Sequence, residues 1–312
     1  MSRRAQQILG LLALAASLLF LGRLAWLRTA SLPPVAWTPA GLAAAAVAVG
    51  LSLVCVLAGA LAWFLLLRSG GSAAGRPSLR AVLAIFALAQ AGKYIPGNVG
   101  QYFGRAVLAR RQGVALRDSA FTLLVETAGL VLAAVACGAL AGGALPGGGR
   151  LALMAVAAVA APCLFLFGVR RLVPRLRNRL PTAWREKLGD GPLPVPSAAA
   201  LTACLALYVL SFCSGGTALH LLARGLFAAP PGGWARTVPA FALAWVAGFV
   251  TPGAPGGLGV REALLVAGTA PVYGPGTALS AALALRAVTV LGDGLALLAG
   301  LAFRPRARQE ST

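Results

Sequence analysis

The chain has 312 residues, 59% of them hydrophobic and 11% charged, with a mean hydropathy of +0.84, values that exclude an ordinary soluble domain. Its formal net charge of +20 comes from 27 Lys and Arg against 7 Asp and Glu. The arginines fall between apolar stretches and form no basic domain, so the charge points to membrane topology and away from nucleic acid as a partner. The apolar stretches are rich in Leu, Ala, Val and Gly without alternating polarity, which excludes an outer-membrane barrel.

Arg3 and Arg4 precede an apolar run from Ile8 that continues past Arg23 to Trp26 with no small-residue cleavage site, and it reads as an uncleaved first span. Six full spans are expected, at about Ile8–Leu27, Leu42–Leu67, Ala120–Gly142, Leu151–Val169, Ala198–Leu222 and Ala278–Phe303, each near the ~20 residues that cross a bilayer as a helix. Leu79–Ala91 and Val238–Val250 differ, being only about thirteen residues each and running directly into a Gly/Pro cluster. Apolar segments that short, followed by helix breakers, predict re-entrant half-helices.

If both short segments re-enter, nineteen Lys and Arg residues outside the apolar stretches fall on one side, and Arg28, Arg150, Arg224 and Arg236 on the other. This bias puts both termini in the cytoplasm, and the basic loop 170–197 with them, in an inner (plasma) membrane. The stretch from Arg170 to Lys187 reads either as an interfacial amphipathic helix or as a solvated positive-inside loop broken by Pro174 and Pro181.

Pro96-Gly97-Asn98-Val99-Gly100 and Pro255-Gly256-Gly257-Leu258-Gly259 share the pattern Pro-Gly-x-(Val/Leu)-Gly at an offset of 159 residues, and both follow the short segments. The expected architecture is all-α, one membrane domain with two repeats of span, re-entrant pair and span over residues 42–142 and 198–303. The second is inverted, as in transporters that open one central site to either face.

Polar groups at membrane depth need a partner or a function, since insertion of a central Arg, Lys or Asp costs about 2.5–3.5 kcal/mol. The candidates are Lys93, beside the first break, Glu126 in the third full span, Arg261 and Glu262 after the second break, and Arg286 and Asp293 in the last span. Arg286 and Asp293 are two helical turns apart and project from one face, where they bracket a cavity or form a structural ion pair, with Glu126 as a possible partner of Arg286. Lys93 adjoins freed backbone N–H groups and a helix start, a setting that holds an anion such as a lipid phosphate.

The five cysteines read as small buried hydrophobes, and His220 as a satisfied packing residue. Trp26, Trp37, Trp63, Trp184 and Trp234 read as interface anchors. Gly138 and Gly142 form a G-x-x-x-G, a weak pointer to a dimer. There is no G-x-x-x-x-G-K-[ST] phosphate loop, and no cofactor or metal is expected.

Gly92-Lys93-Tyr94-Ile95-Pro96-Gly97-Asn98-Val99-Gly100 with Arg105, followed by Pro255-Gly256-Gly257-Leu258-Gly259-Val260-Arg261-Glu262-Ala263, resembles the lysylphosphatidylglycerol synthase transmembrane region family of flippase-like proteins. In full-length synthases of that family the membrane region moves an aminoacylated phospholipid between leaflets, and a separate cytosolic domain makes that lipid. The resemblance implies lipid handling without synthase chemistry. The expected substrate is a phosphate-bearing lipid, aminoacyl-phospholipid or polyprenyl-phosphate-linked, with a separate lipid-modifying enzyme as a possible partner. The expected binding residues are Lys93, Tyr94, Pro96, Gly97, Asn98, Gly100, Arg105, Glu126, Pro255, Gly256, Gly257, Gly259, Arg261, Glu262, Arg286 and Asp293, none of them catalytic. The alternatives are a non-transporting partner of a lipid- or glycan-modifying enzyme and a membrane glycosyltransferase. The latter is disfavoured because the outer loops, apart from the second re-entrant segment, hold no Asp or Glu.

Overall fold

The computed structural model describes residues 32–70, 76–94, 100–139, 165–172, 175, 195–251 and 255–303, and these are helical with no strand among them. Four helices are long and apolar enough to cross a membrane: α1 (Pro39–Gly70), α4 (Leu116–Ala139), α5 (Ala198–Phe227) and α8 (Pro275–Ala302). They match four of the six expected spans. Ile8–Leu27 and most of Leu151–Val169 and of the basic loop lie outside the described residues.

Between the long helices lie α2 (Leu79–Ala89), α3 (Gly100–Arg110), α6 (Trp234–Val250) and α7 (Val260–Tyr273). The second short segment is longer than its apolar core suggested. Gly233 precedes Trp234, and the first turn forms without a side-chain cap, so α6 gains four residues before Val238 and carries Pro239 near its start. Ser78 accepts a hydrogen bond from the Ala81 N–H (3.2 Å) and starts α2, and Ser197 does the same for α5 through Ala200 (3.2 Å).

Three of the four pairs of helix starts repeat at a nearly constant interval, the α2 and α6 starts being 155 residues apart. Pro39 and Ala198 are 159 residues apart, Leu116 and Pro275 are 159 apart, and Gly100 and Val260 are 160 apart. The packing repeats as well. The most extensive pair is α1 with α5; α2 lies on α8 as α6 lies on α4, and α1 touches both α4 and α8, as α5 does. Exchanging α1–α4 for α5–α8 leaves this pattern of neighbours unchanged.

Close approach depends on small residues, as expected where helices associate within lipid. A Cβ on Gly41 would lie 2.8 Å from the Gly225 carbonyl, and one on Gly216 only 2.4 Å from the Val238 α-carbon of α6. Two thiols also donate across the α1–α5 seam, Cys55 to the Ser211 carbonyl (3.2 Å) and Cys204 to that of Ala62 (3.3 Å). Gly216→Ala is expected to lower the unfolding midpoint in mild detergent, at a cost of about 1–3 kcal/mol, because backbone atoms must move apart to admit the methyl group. Gly50→Ala, at a position with open space around the glycine, is the matched control. Gly138 is covered within the chain by Leu243 of α6, which accounts for this glycine without a second copy.

Candidate functional site

Two interruptions of regular helix meet in the interior. After eleven residues α2 tightens into the 3₁₀ turn Gln90–Tyr94. Glycine at position 92 lets the start of α3 cross directly over it, since a Cβ there would lie 2.5 Å from the Gly100 carbonyl carbon. On the other side α6 gives way to the 3₁₀ turn Pro255–Gly257, which touches the first turn. Gly256, Gly257 and Gly259 have φ of +57°, +73° and +81°, a region that disfavours any residue with a Cβ. The chain thereby turns sharply enough to begin α7 at Val260. Glu262, at the third position of α7, accepts from the Gly259 N–H at 2.7 Å.

The last span threads between these breaks and reaches both. Asp293 Oδ2 lies 2.5 Å from Lys93 Nζ and accepts from the Tyr94 hydroxyl at 2.5 Å. Two turns earlier, Arg286 Nη1 donates to the Gly256 carbonyl at 2.8 Å and lies 3.9 Å from Glu262 Oε1. The two turns touch and one helix reaches both with Asp293 and Arg286, so the charged groups of the two breaks form one cluster. Three basic groups, Lys93, Arg261 and Arg286, thus stand against two acidic ones, Glu262 and Asp293.

The donors in this group are unevenly used. Arg286 is 7% exposed, and its Nε and Nη2 are buried without a hydrogen-bond partner, as is Arg261 Nε. Nε and Nη2 form one edge of the planar guanidinium, two parallel N–H groups spaced for the oxygens of a phosphate or carboxylate. A Cβ on Gly256 would lie 2.8 Å from Nη2, and one on Gly257 would lie 2.9 Å from Arg261 Cγ. The glycines therefore make the slot in which both arginines lie. A small cavity adjoins it, lined by Phe241, Trp245, Arg261, Glu262, Arg286 and Thr289. Trp245 stacks on Phe249 (5.3 Å, 3°), with the Arg261 guanidinium 5.9 Å above its ring.

Arg105 and Glu126 form a separate unit. Arg105 Nη1 donates to both Glu126 oxygens at 2.8 Å, the two side chains being 3% and 2% exposed. The guanidinium is surrounded by the rings of Phe86 (4.6 Å), Tyr102 (5.0 Å) and Trp63 (5.4 Å). Glu126 is therefore the partner of Arg105, and the expected pairing with Arg286 does not form. Trp63 is fully buried, donating to the Thr122 hydroxyl at 3.2 Å, and so is no interface anchor, whereas Trp37, 74% exposed, has the surface such a role needs.

Of the expected binding residues, Lys93, Tyr94, Arg261, Glu262, Arg286 and Asp293 come together with Gly256, Gly257 and Gly259. Gly100 opens α3 and Pro255 opens the second turn. Pro96, Gly97 and Asn98 lie outside the described residues. Trp245 was not anticipated, although Phe241, Trp245 and Phe249 recur every fourth residue and mark one helical face. His220 Nδ1 meets the Tyr273 hydroxyl at 2.6 Å, a satisfied packing contact. Among the described residues no group of three or more His, Cys, Asp or Glu side chains is placed to hold a metal ion.

Long apolar helices, two helix breaks that meet, and a polar cluster between them define a multi-pass helical membrane protein with an internal charged site. The chain belongs to the lysylphosphatidylglycerol synthase TM region family, whose model matches residues 7–296. No match to the chain is found among curated proteins. Membership ties the chain to the membrane part of a family concerned with a membrane lipid.

Proposed function

We propose that this protein is a flippase-like, non-enzymatic membrane protein that binds a phosphate-bearing lipid between its two helix breaks and carries it between leaflets. The observation that carries the reading is the unpartnered Nε–Nη2 edge of Arg286, buried beside the start of α7 with Arg261 Nε. A headgroup crosses hydrocarbon slowly because its polar groups, stripped of water without replacement bonds, cost several kcal/mol each. The Arg286 fork and the neighbouring helix start replace that water with fixed donors.

The repeated helix starts and the exchange-invariant neighbours support two repeats of span, re-entrant pair and span. With the second inverted, the two halves rock about a central site and expose it to each face in turn. Both termini lie in the cytoplasm of an inner membrane, and a separate lipid-modifying enzyme supplies or consumes the cargo.

Native mass spectrometry of protein purified in mild detergent tests the reading by comparing the lipids retained by wild type, Arg286→Gln and Lys93→Ala. One headgroup class retained by wild type and depleted about tenfold in Arg286→Gln is expected, a charge-assisted pair being worth about 1.5–3 kcal/mol. Lys93→Ala is expected to lose a similar amount through charge alone, because it removes one positive charge of the cluster although Lys93 is itself bonded to Asp293. Equal, unselective retention by all three would overturn the site and leave a non-transporting partner as the better description.

A further inference from the structure

Resting on the lipid-binding reading above, we infer that the cargo's headgroup carries a single negative charge and no amine: a lipid phosphodiester of the phosphatidylglycerol type, in place of a cationic aminoacyl-lipid. The argument is the balance of used and unused groups around the two breaks.

Every carboxylate of the described spans already has a partner inside the protein. Asp293 Oδ2 holds both Lys93 and Tyr94. Glu126 gives both oxygens to Arg105. Glu262 gives Oε2 to the Gly259 N–H, and its Oε1 faces Arg286. Asp118, in the first turn of α4, pairs with Arg117. An ammonium group brought to the site would find each of these carboxylates already paired with a cation. The fully buried side-chain atoms without partners there are all donors: Arg286 Nε, Arg286 Nη2 and Arg261 Nε. They call for oxygens, and the parallel pair on Arg286 calls for two oxygens on one centre.

The charge count makes the demand quantitative. Among the described residues, with Lys93 cancelled by Asp293 and one of Arg261 and Arg286 by Glu262, one positive charge is left over. In a low-dielectric interior an uncompensated charge is strongly disfavoured. One phosphodiester neutralises it. A phosphomonoester dianion overshoots, and a lysyl-bearing headgroup adds positive charge where there is already an excess.

The test uses the full chain in mild detergent with equimolar phosphatidylglycerol, phosphatidylethanolamine and lysylphosphatidylglycerol of identical acyl chains, reading bound adducts by native mass spectrometry. A parallel arm measures thermal protection by each lipid and by inorganic phosphate. Phosphatidylglycerol is expected to exceed lysylphosphatidylglycerol by about tenfold or more, the effect of one charge-assisted pair. Arg286→Lys, which keeps the charge but lacks the fork, is expected to narrow that ratio while eluting as wild type. The wild-type ratio alone decides the inference if the variant does not fold.

Preference for lysylphosphatidylglycerol would overturn the inference and leave lipid binding standing. Equal adducts of all three lipids would overturn both. Protection by inorganic phosphate with none from any lipid would assign the fork to a free anion and overturn the lipid source.

Discussion

Glu126→Gln is expected to destabilise the protein by about 3–5 kcal/mol, the usual result of removing one member of a buried ion pair and leaving the other unneutralised. Arg105 would keep its place among Phe86, Tyr102 and Trp63, where no water replaces the lost charge. Combining Arg105→Met with Glu126→Leu is expected to recover most of the loss, because a flexible thioether packs well against aromatic rings and no charge then remains to be matched. Unfolding midpoints of the single and double variants in detergent measure this. The cycle also separates two roles for Glu126. A structural member loses stability as Gln and regains it in the double variant. A headgroup contact, the role the sequence suggested, would leave the unfolding midpoint unchanged and reduce lipid retention.

Asp293→Asn is expected to act in the opposite sense on lipid. The amide still accepts from the Tyr94 hydroxyl, but Lys93 loses its counter-charge, and the excess around the breaks rises from one positive charge to two. An additional unit charge about 10 Å from a bound anion contributes roughly 1.7 kcal/mol at an effective dielectric constant near 20, or more than tenfold in affinity. Retention of an anionic lipid should therefore rise by about tenfold, while stability falls by about 2–3 kcal/mol for the unpaired lysine. Lys93→Met together with Asp293→Leu should return both quantities toward wild type. Were Asp293 instead a contact for a cationic headgroup, Asp293→Asn would lower retention, and the same adduct measurement would show it.

The large features of this fold were legible because they depend on local chemistry. Span length follows from apolar run length, which is why α1, α4, α5 and α8 fall where hydropathy put them. The two breaks follow from Pro and Gly, whose backbone preferences act at their own positions. The common face of Arg286 and Asp293 follows from helical period alone, and both side chains do turn inward. What period cannot supply is which partner each group meets. The sequence offered Glu126 to Arg286, but the angle at which α3 crosses α4 gives it to Arg105, twenty-one residues away. Lys93 read as an anion holder because it adjoins a break, yet α8 delivers a carboxylate to it from two hundred positions further on. Trp63 read as an interface residue from its distance to a span end, whereas the fold surrounds it completely.

The seam between α1 and α5 carries its own reporter. Cys204 is fully buried and its thiol donates to a carbonyl of the opposite helix, so a thiol-reactive reagent reaches it only when the packing around it opens, whereas Cys55 is partly exposed. Alkylation followed at Cys204 itself thus becomes a clock for opening of this seam, with no label engineered and no site disturbed.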